Sequence, residues 1–298
     1  MNVALLDWLA CPADGGHPLR LDGAAPADGV IASGQLVCPA CGGEYPLADG
    51  IPSFLTAAGE PLSPLQQREK DARDRQYGCE GEYEAGMWRL RELDAVRSAL
   101  GDCHGLRALD AGCGAGGMTR VLHGAARIVG IDFSLAGLQA HRLRSLPEVD
   151  LVHADASRPP FRDDIFDVCI STGVLQHMTS AAQRAAFLQH LRRLLKPGGK
   201  LVLTTFNWSS YDRRAGVPKE GLFDNGIFRR RFEVDELRSE LAASFEVEAI
   251  VPAEVVLPKT YHLVEALGRG SVIWDRFWRR RAVSYAYADL LLAQCRAR

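Results

Sequence analysis

The stretch Ala-Leu-Asp-Ala-Gly-Cys-Gly-Ala-Gly-Gly, residues 108–117, constrains the fold more than any other part of the chain. It follows the apolar run 106–110 and leads into a helix-like segment near 116–124, so it reads as strand, glycine-rich turn and helix. Such a turn needs glycine because the backbone must bend sharply and lie close against a ligand. Two ligand classes satisfy the loop taken alone. As G-x-G-x-x-G, with Asp132 about 20 residues on, it suits a dinucleotide. As D-x-G-x-G-x-G counted from Asp110, it places an anion at the strand end, which repels a pyrophosphate and attracts a sulfonium or ammonium.

Strands and helices alternate on both sides of this loop. Apolar runs at 127–132, 150–155, 166–171, 200–206 and 245–251 read as further strands, and 288–297 as a last one. Between them, 180–195 reads as a helix that Ser180 caps and Pro197-Gly198-Gly199 stops. The pattern predicts an α/β fold with a doubly wound, mostly parallel seven-stranded sheet. Ahead of it, 66–77 is highly charged and suits an exposed helix, and 86–100 repeats Met87, Leu90, Leu93, Val96 and Leu100 near a helical period. Residues 1–55 are turn-rich and helix-poor. The expected organisation is a small β module over 1–57, a linker and lid helix over 58–83, and the α/β domain over 84–298, in which 252–287 caps an acceptor pocket or forms a dimer face.

Length and composition are those of an ordinary soluble protein, 298 residues with 47% hydrophobic and 24% charged. The formal net charge of −2 gives no global attraction to nucleic acid or anionic membrane. Arginine triplets at 229–231 and 279–281 read first as solvated faces. The first ten residues lack a basic leader, and no apolar run nears the roughly 20 residues that span a bilayer. Eight dispersed cysteines do not make a disulfide framework, so a reduced, cytoplasmic protein without membrane attachment is expected.

Four features beyond the loop separate the two ligand classes: Gly-Ile-Asp-Phe-Ser at 130–134, the stretch His153–Ser171, the turn and strand at 191–205, and Asp110 itself. In this order and spacing they resemble the class I S-adenosylmethionine (SAM) methyltransferases. The resemblance covers 84–210 closely and 211–298 loosely. It implies SAM as cofactor, with Asp110, Gly112 and Gly114 along the methionine side. Asp132 would hold the ribose hydroxyls, Phe133 would stack on the adenine, and Asp155 and Ala156 would edge the base. Ser171 and Thr172 would close the pocket near the methionyl part. Cys113 is expected to be a packing residue.

Methyl transfer is an in-line displacement in which proximity carries much of the catalysis, and a base is needed only where the acceptor must lose a proton. His177, just past the fourth strand, is the candidate base, with packing or capping as its other reading. Tyr83, Tyr211, Tyr261 and His262 lie in segments able to fold over the pocket. No Asn/Asp-Pro-Pro-Tyr/Phe follows the fourth strand, which argues against adenine amino-methylation by that route, and no Pro-Cys stands there for a cysteine adduct to a pyrimidine.

The first 55 residues pose a separate question. Cys11-Pro-Ala-Asp14 begins like a zinc knuckle but offers a carboxylate where a second cysteine would stand, while Cys38 and Cys41 form a full pair. With the following Tyr-Pro-Leu-Ala-Asp-Gly-Ile-Pro-Ser-Phe-Leu, the segment resembles the small zinc-ribbon activator subunit of tRNA, ribosomal-RNA and protein methyltransferases. One structural zinc ion on Cys11, Asp14, Cys38 and Cys41 is expected, with His17 as rival fourth ligand and a metal-free ribbon as the other reading. Three functions follow. The first is a SAM-dependent methyltransferase acting on a small molecule at O, N or C. The second is an rRNA or tRNA guanine methyltransferase, and the third an inactive SAM-binding interaction protein. Monomer and homodimer both stay open.

Overall fold

The computed structural model describes residues 1–14, 16–23, 28–55, 62–78, 87–144 and 149–298. The N-terminal module holds four short strands in a sequential antiparallel sheet: β1 (Arg20–Leu21), β2 (Gly34–Val37), β3 (Glu44–Ala48) and β4 (Ile51–Pro52). In β3 the side chains alternate, with Tyr45 and Leu47 buried and their neighbours exposed, as expected of a sheet with one wet face. Two helices follow, α1 (Pro64–Gly78) and α2 (Met87–Leu100).

The α/β domain then runs β5 (Arg107–Ala111), β6 (Arg127–Asp132), α3 (Leu135–Arg144), β7 (Val149–His153), β8 (Phe166–Thr172), α4 (Ala181–Leu194) and β9 (Leu195–Phe206). Its last part comprises α5 (Ser210–Arg214), β10 (Glu220–Leu222), β11 (Phe228–Arg230), α6 (Val234–Ala242), β12 (Phe245–Val255), α7 (Tyr261–Ala266), α8 (Ser271–Arg279) and β13 (Ala288–Ala297). Seven strands form one sheet in the order β12-β13-β9-β8-β5-β6-β7. All neighbours are parallel except those of β13, which runs against both β12 and β9. Strands β5 and β6 are buried along almost their whole length because helices cover both faces.

Ser180 caps α4 by accepting the Gln183 backbone N–H. The helix expected near 116–124 is only a 3-10 turn, Thr119–Leu122. Gly116 and Gly124, both at positive φ, bracket that turn and break any longer helix.

The module seals the open edge of β7. Ser53 bridges His153 in parallel, Phe54 N–H donates to the His153 carbonyl at 2.8 Å, and Leu9 bridges Phe161. An uncovered edge strand invites wrong pairing, and here the module occupies it. Leu5, Leu9, Tyr45 and Phe54 join one apolar cluster with Phe161 and Phe166, so module and sheet share a core. No helix among the described residues is long and apolar enough to cross a membrane.

Candidate active site

A cavity of about 950 Å³ opens at the carboxyl ends of the parallel strands, spanning the point between β5 and β8 where the strand order reverses. Open α/β sheets bind ligands there, and the volume lies at the upper end of the roughly 300–1,000 Å³ usual for such sites.

The turn after β5 depends on glycine at three positions, among them Gly116, with φ +83° and a Cβ position that would run into His141. Gly112 has φ +85°, and a Cβ there would run into the Val174 side chain. Gly114 has φ +50°, and a Cβ there would meet the Tyr77 hydroxyl. The freed backbone puts the Gly114 N–H 2.8 Å from Asp132 Oδ2, while Ser134 N–H donates to Oδ1 at 2.8 Å. Two lone-pair positions of the carboxylate stay available for ribose hydroxyls. Burial raises the Asp132 pKa, and these backbone N–H groups oppose the rise.

Asp132, Phe133, Asp155, Ala156, Thr172 and Gly112 line the cavity. Asp110, Gly114 and Ser171 stand behind its wall. Asp110 is fully buried, with Oδ2 taking a 2.6 Å bond from Thr119 and Oδ1 without a partner. Burial pushes its pKa up to about 7. Ser171 ties β8 to β5 by donating to the Ala111 carbonyl at 3.0 Å. Asp155 uses Oδ1 in its own turn, accepting Ser157 N–H, and accepts Gln66 Nε2 on Oδ2 at 3.3 Å. Cys113 is buried, as expected of a packing residue, and also touches the cavity.

Gln66 belongs to α1, which lies across this half of the cavity. Ser134 Oγ donates to Asp74 Oδ1 at 2.5 Å, and Lys70 pairs with Asp74 at 2.7 Å. Glu69 also faces in, its pKa raised to about 7 by burial. A charged lid helix within 58–83 was expected from sequence; the polar partners Ser134 and Asp155, which a helix polar all round needs to hold it, were not.

His177 lines the middle of the cavity in a single tautomer. Arg73 can only donate, so His177 Nε2 accepts from it at 2.9 Å, and Nδ1–H therefore donates to the Phe228 carbonyl at 2.6 Å. Burial first, then the Arg73 charge, lowers its pKa to about 3. Tyr211 is exposed outside the cavity lining, and the His262 side chain is 96% exposed. Tyr83 and the Tyr261 side chain lie outside the described residues.

Beyond His177 the cavity continues into a second chamber that sequence reasoning largely missed. Phe206, Asp212, Phe223 and Arg231 form one side, and Val256, Val264 and Glu265, from within 252–287, close another. The aromatic outer face of that segment is open: Leu263 and Phe277 are about half exposed, Ile273 72%. The arginine triplets are largely engaged. Arg230 pairs with Glu220 and Glu236, Arg279 with Asp275 and Asp94, and Arg229 lies 4.5 Å over the Phe223 ring.

In the module, Cys11, Asp14, Cys38 and Cys41 bring four ligand atoms within 4.8 Å of one another. Cys11 and Cys41 Sγ are 3.7 Å apart, close to the roughly 3.8 Å edge of a tetrahedron with 2.3 Å zinc–sulfur bonds. Asp14 Oδ2 is 2.6 Å from Cys38 Sγ, whose hydrogen bond holds the carboxyl below its ordinary pKa range. The His17 side chain is 58% exposed and touches Asp14 Oδ2 through Nδ1 at 3.2 Å, outside the four-atom group.

Residues 109–203 match the family described as Methyltransferase domain, and residues 2–50 the family described as Trm112p-like protein. The chain is 30% identical over 202 residues to a "Probable S-adenosylmethionine-dependent methyltransferase" of Mycolicibacterium smegmatis, covering 67% of this chain and 69% of the relative. It is 38% identical over 130 residues to demethylmenaquinone methyltransferase of Mycolicibacterium paratuberculosis, covering 43% of this chain and 54% of that one. The fold is shared with the 1,6-didemethyltoxoflavin-N1-methyltransferase of Burkholderia thailandensis, at 17% identity and a TM-score of 0.55 over 90% of this chain and 99% of that chain. The glycine turn, the buried Asp132 and these likenesses agree: the chain belongs to the SAM-dependent methyltransferases, with a Trm112p-like module at its N-terminus.

Proposed function

We propose that the protein transfers a methyl group from SAM to a small molecule held in the second chamber. The observation that carries this is one continuous cavity, whose lining runs from Asp132 to a chamber walled by Phe206, Phe223 and Val256. Demethylmenaquinone methyltransferase, by its name, acts on a quinone rather than a nucleic acid, which accords with such walls. Engagement of the arginine triplets in ion pairs and ring contacts leaves them poorly placed for RNA phosphates, which counts against an RNA guanine substrate.

In this reading Asp132 holds the ribose and Phe133 the adenine. Asp155 and Ala156 meet the base edge once Gln66 yields. Asp110 acts through its buried charge from behind the glycine turn, its unpartnered Oδ1 suiting an ammonium group nearby. The bound cofactor supplies an electrophilic methyl on a sulfonium. The chain aligns the acceptor with it, excludes water by the α1 cover, and holds His177 neutral. Because His177 Nε2 is taken by Arg73, we assign the histidine to holding α1 closed, and it acts as a base only when that bond opens. Residues 1–57 would form the module, 58–83 a segment whose α1 part serves as lid, and 84–298 the catalytic domain. One zinc on Cys11, Asp14, Cys38 and Cys41 would brace the module, and free thiols there suit a reducing, cytoplasmic setting.

Calorimetric titration with S-adenosylhomocysteine tests the cofactor half. One site per chain is expected, weakened about 100-fold in Asp132→Ala, which removes the ribose acceptor and strands two backbone donors. Equal affinity in wild type and variant would refute it.

A further inference from the structure

The second chamber ends at the carboxyl end of β12, where Glu254 stands. Glu254 lines the cavity, is only 5% exposed, and its Oε1 has no hydrogen-bond partner. Its φ is +56°, a left-handed conformation uncommon outside glycine and retained mainly at functional sites. Arg91 of α2 faces the same chamber, 6% exposed, with Nε and Nη1 unpartnered. Register pairs Ala253 with Leu290 and Val255 with Ala288, so Glu254 and Asp289 share the unpaired step between β12 and β13. Asp289 opens onto the cavity as well.

Buried polar groups are nearly always satisfied. An acceptor oxygen and two guanidinium nitrogens without hydrogen-bond partners, on separate elements at one chamber, call for a ligand that donates to the first and accepts from the second. The ring walls of that chamber, Phe206 and Phe223 packed edge to face at 6.1 Å, favour a planar body.

We propose that Glu254 and Arg91 form the acceptor subsite, and that the acceptor is a planar phenol or enol bearing a second oxygen beside its reacting hydroxyl. The inference rests on the methyltransferase reading. The hydroxyl donates to Glu254 Oε1, and the neighbouring oxygen accepts from Arg91. In the reaction the O–H proton passes to the Glu254 carboxylate as the acceptor oxygen bonds the methyl carbon. The electron pair of the broken S–C bond stays on sulfur, which becomes a neutral thioether. The proton leaves Glu254 for water when the product departs.

The groups around Glu254 suit a base awaiting its partners. Burial raises its pKa well above the usual range, and Glu92, Asp289 and Asp275 add to the rise while Arg91 opposes it. A cationic cofactor beside the chamber draws it toward the carboxylate form when both ligands are present.

The test uses the full-length protein loaded with sinefungin, which carries an ammonium where SAM carries its sulfonium, and titrated with 4-nitrocatechol, whose colour reports ionisation of its hydroxyl. Wild type is expected to bind the catechol and shift it toward its anion at a mildly acidic pH, where the free catechol is mostly un-ionised. Glu254→Gln is expected to weaken that binding about tenfold or more, or to leave the bound catechol un-ionised, with cofactor affinity within twofold of wild type. A Glu254→Gln titration indistinguishable from wild type, or no catechol binding by the loaded wild type, would overturn the subsite. Should Glu254→Gln lose its fold, Arg91→Lys takes its place. It keeps the charge but not the fork, so affinity should fall several-fold with the colour shift retained, and unchanged affinity would overturn the proposal. Failure of wild type to bind sinefungin would instead count against the methyltransferase reading.

Discussion

Arg73 of α1 donates a 2.9 Å hydrogen bond to Nε2 of His177, fastening the helix that lies across the Asp132 side of the cavity to the turn beyond β8. The bond fixes the imidazole tautomer and makes cover and cavity floor one unit. Removing it should free α1. In His177→Ala the expected results are faster proteolysis within α1 and release of S-adenosylhomocysteine up to about tenfold faster, the scale of one lost hydrogen bond. Stopped-flow displacement measures the second. An unchanged release rate would show that the contact does not hold the cover.

The same histidine sets an acid limit. Its folded pKa is about 3 against about 6.5 when unfolded, so between those values the unfolded chain binds the extra proton. Its contribution is therefore fully present above about pH 6.5 and lost as pH falls toward 3. His177→Gln should flatten that part of the profile of unfolding free energy against pH, measured by urea titration.

Asp110 works in the opposite direction. Burial raises its pKa to about 7, so the folded state holds its proton where the unfolded chain has already released it. Cofactor-free protein should lose stability from this group as pH rises from about 4 through 7. Asp110→Asn should remove that slope and at the same time weaken S-adenosylhomocysteine binding, since the buried charge is gone. Thermal melts at pH 5.5 and 8, with and without ligand, separate the two effects.

The zinc ligands lead to a direct assay. Protein purified without chelator should carry one equivalent of zinc by elemental analysis, and Cys41→Ser or Asp14→Ala should lower that content. His17→Ala should leave it unchanged, since that side chain lies outside the cluster. Because module and sheet share one apolar cluster, metal removal should lower the melting temperature of the whole chain rather than of a separate unit.

A polar relay links the module to the Phe133 side of the pocket. Ser53 Oγ lies 2.8 Å from His153 Nδ1, and His153 Nε2 lies 3.2 Å from the Phe133 carbonyl. Ser53→Ala should weaken cofactor binding by a few-fold without lowering zinc content, measured by calorimetry alongside metal analysis.

That Asp132, Phe133, Asp155 and Ala156 would share one cavity was legible because these residues sit at strand ends that local pattern defines. Strand β6 ends at Asp132 and β13 covers 288–297, both as the apolar runs indicate. Other features depend on contacts that no local window contains. Asp110, Gly114 and Ser171 belong to the same turn and strand ends but are not among the residues that line the cavity. The other part of the cavity draws Arg91 from α2, Phe223 from the segment between β10 and β11, Glu254 from β12 and Asp289 from β13, and only the assembled fold brings these together. Glu254 carries no local signal at all, since left-handed backbone at a glutamate cannot be read from its neighbours.

The central claim is methyl transfer to a small molecule within this cavity. Incubating the protein with methyl-labelled SAM, total RNA and a metabolite extract, then counting label in each fraction, tests it most directly. Label should enter the low-mass fraction and fall to background with Asp132→Ala. Label in RNA alone, or in neither fraction although the cofactor binds, would contradict it.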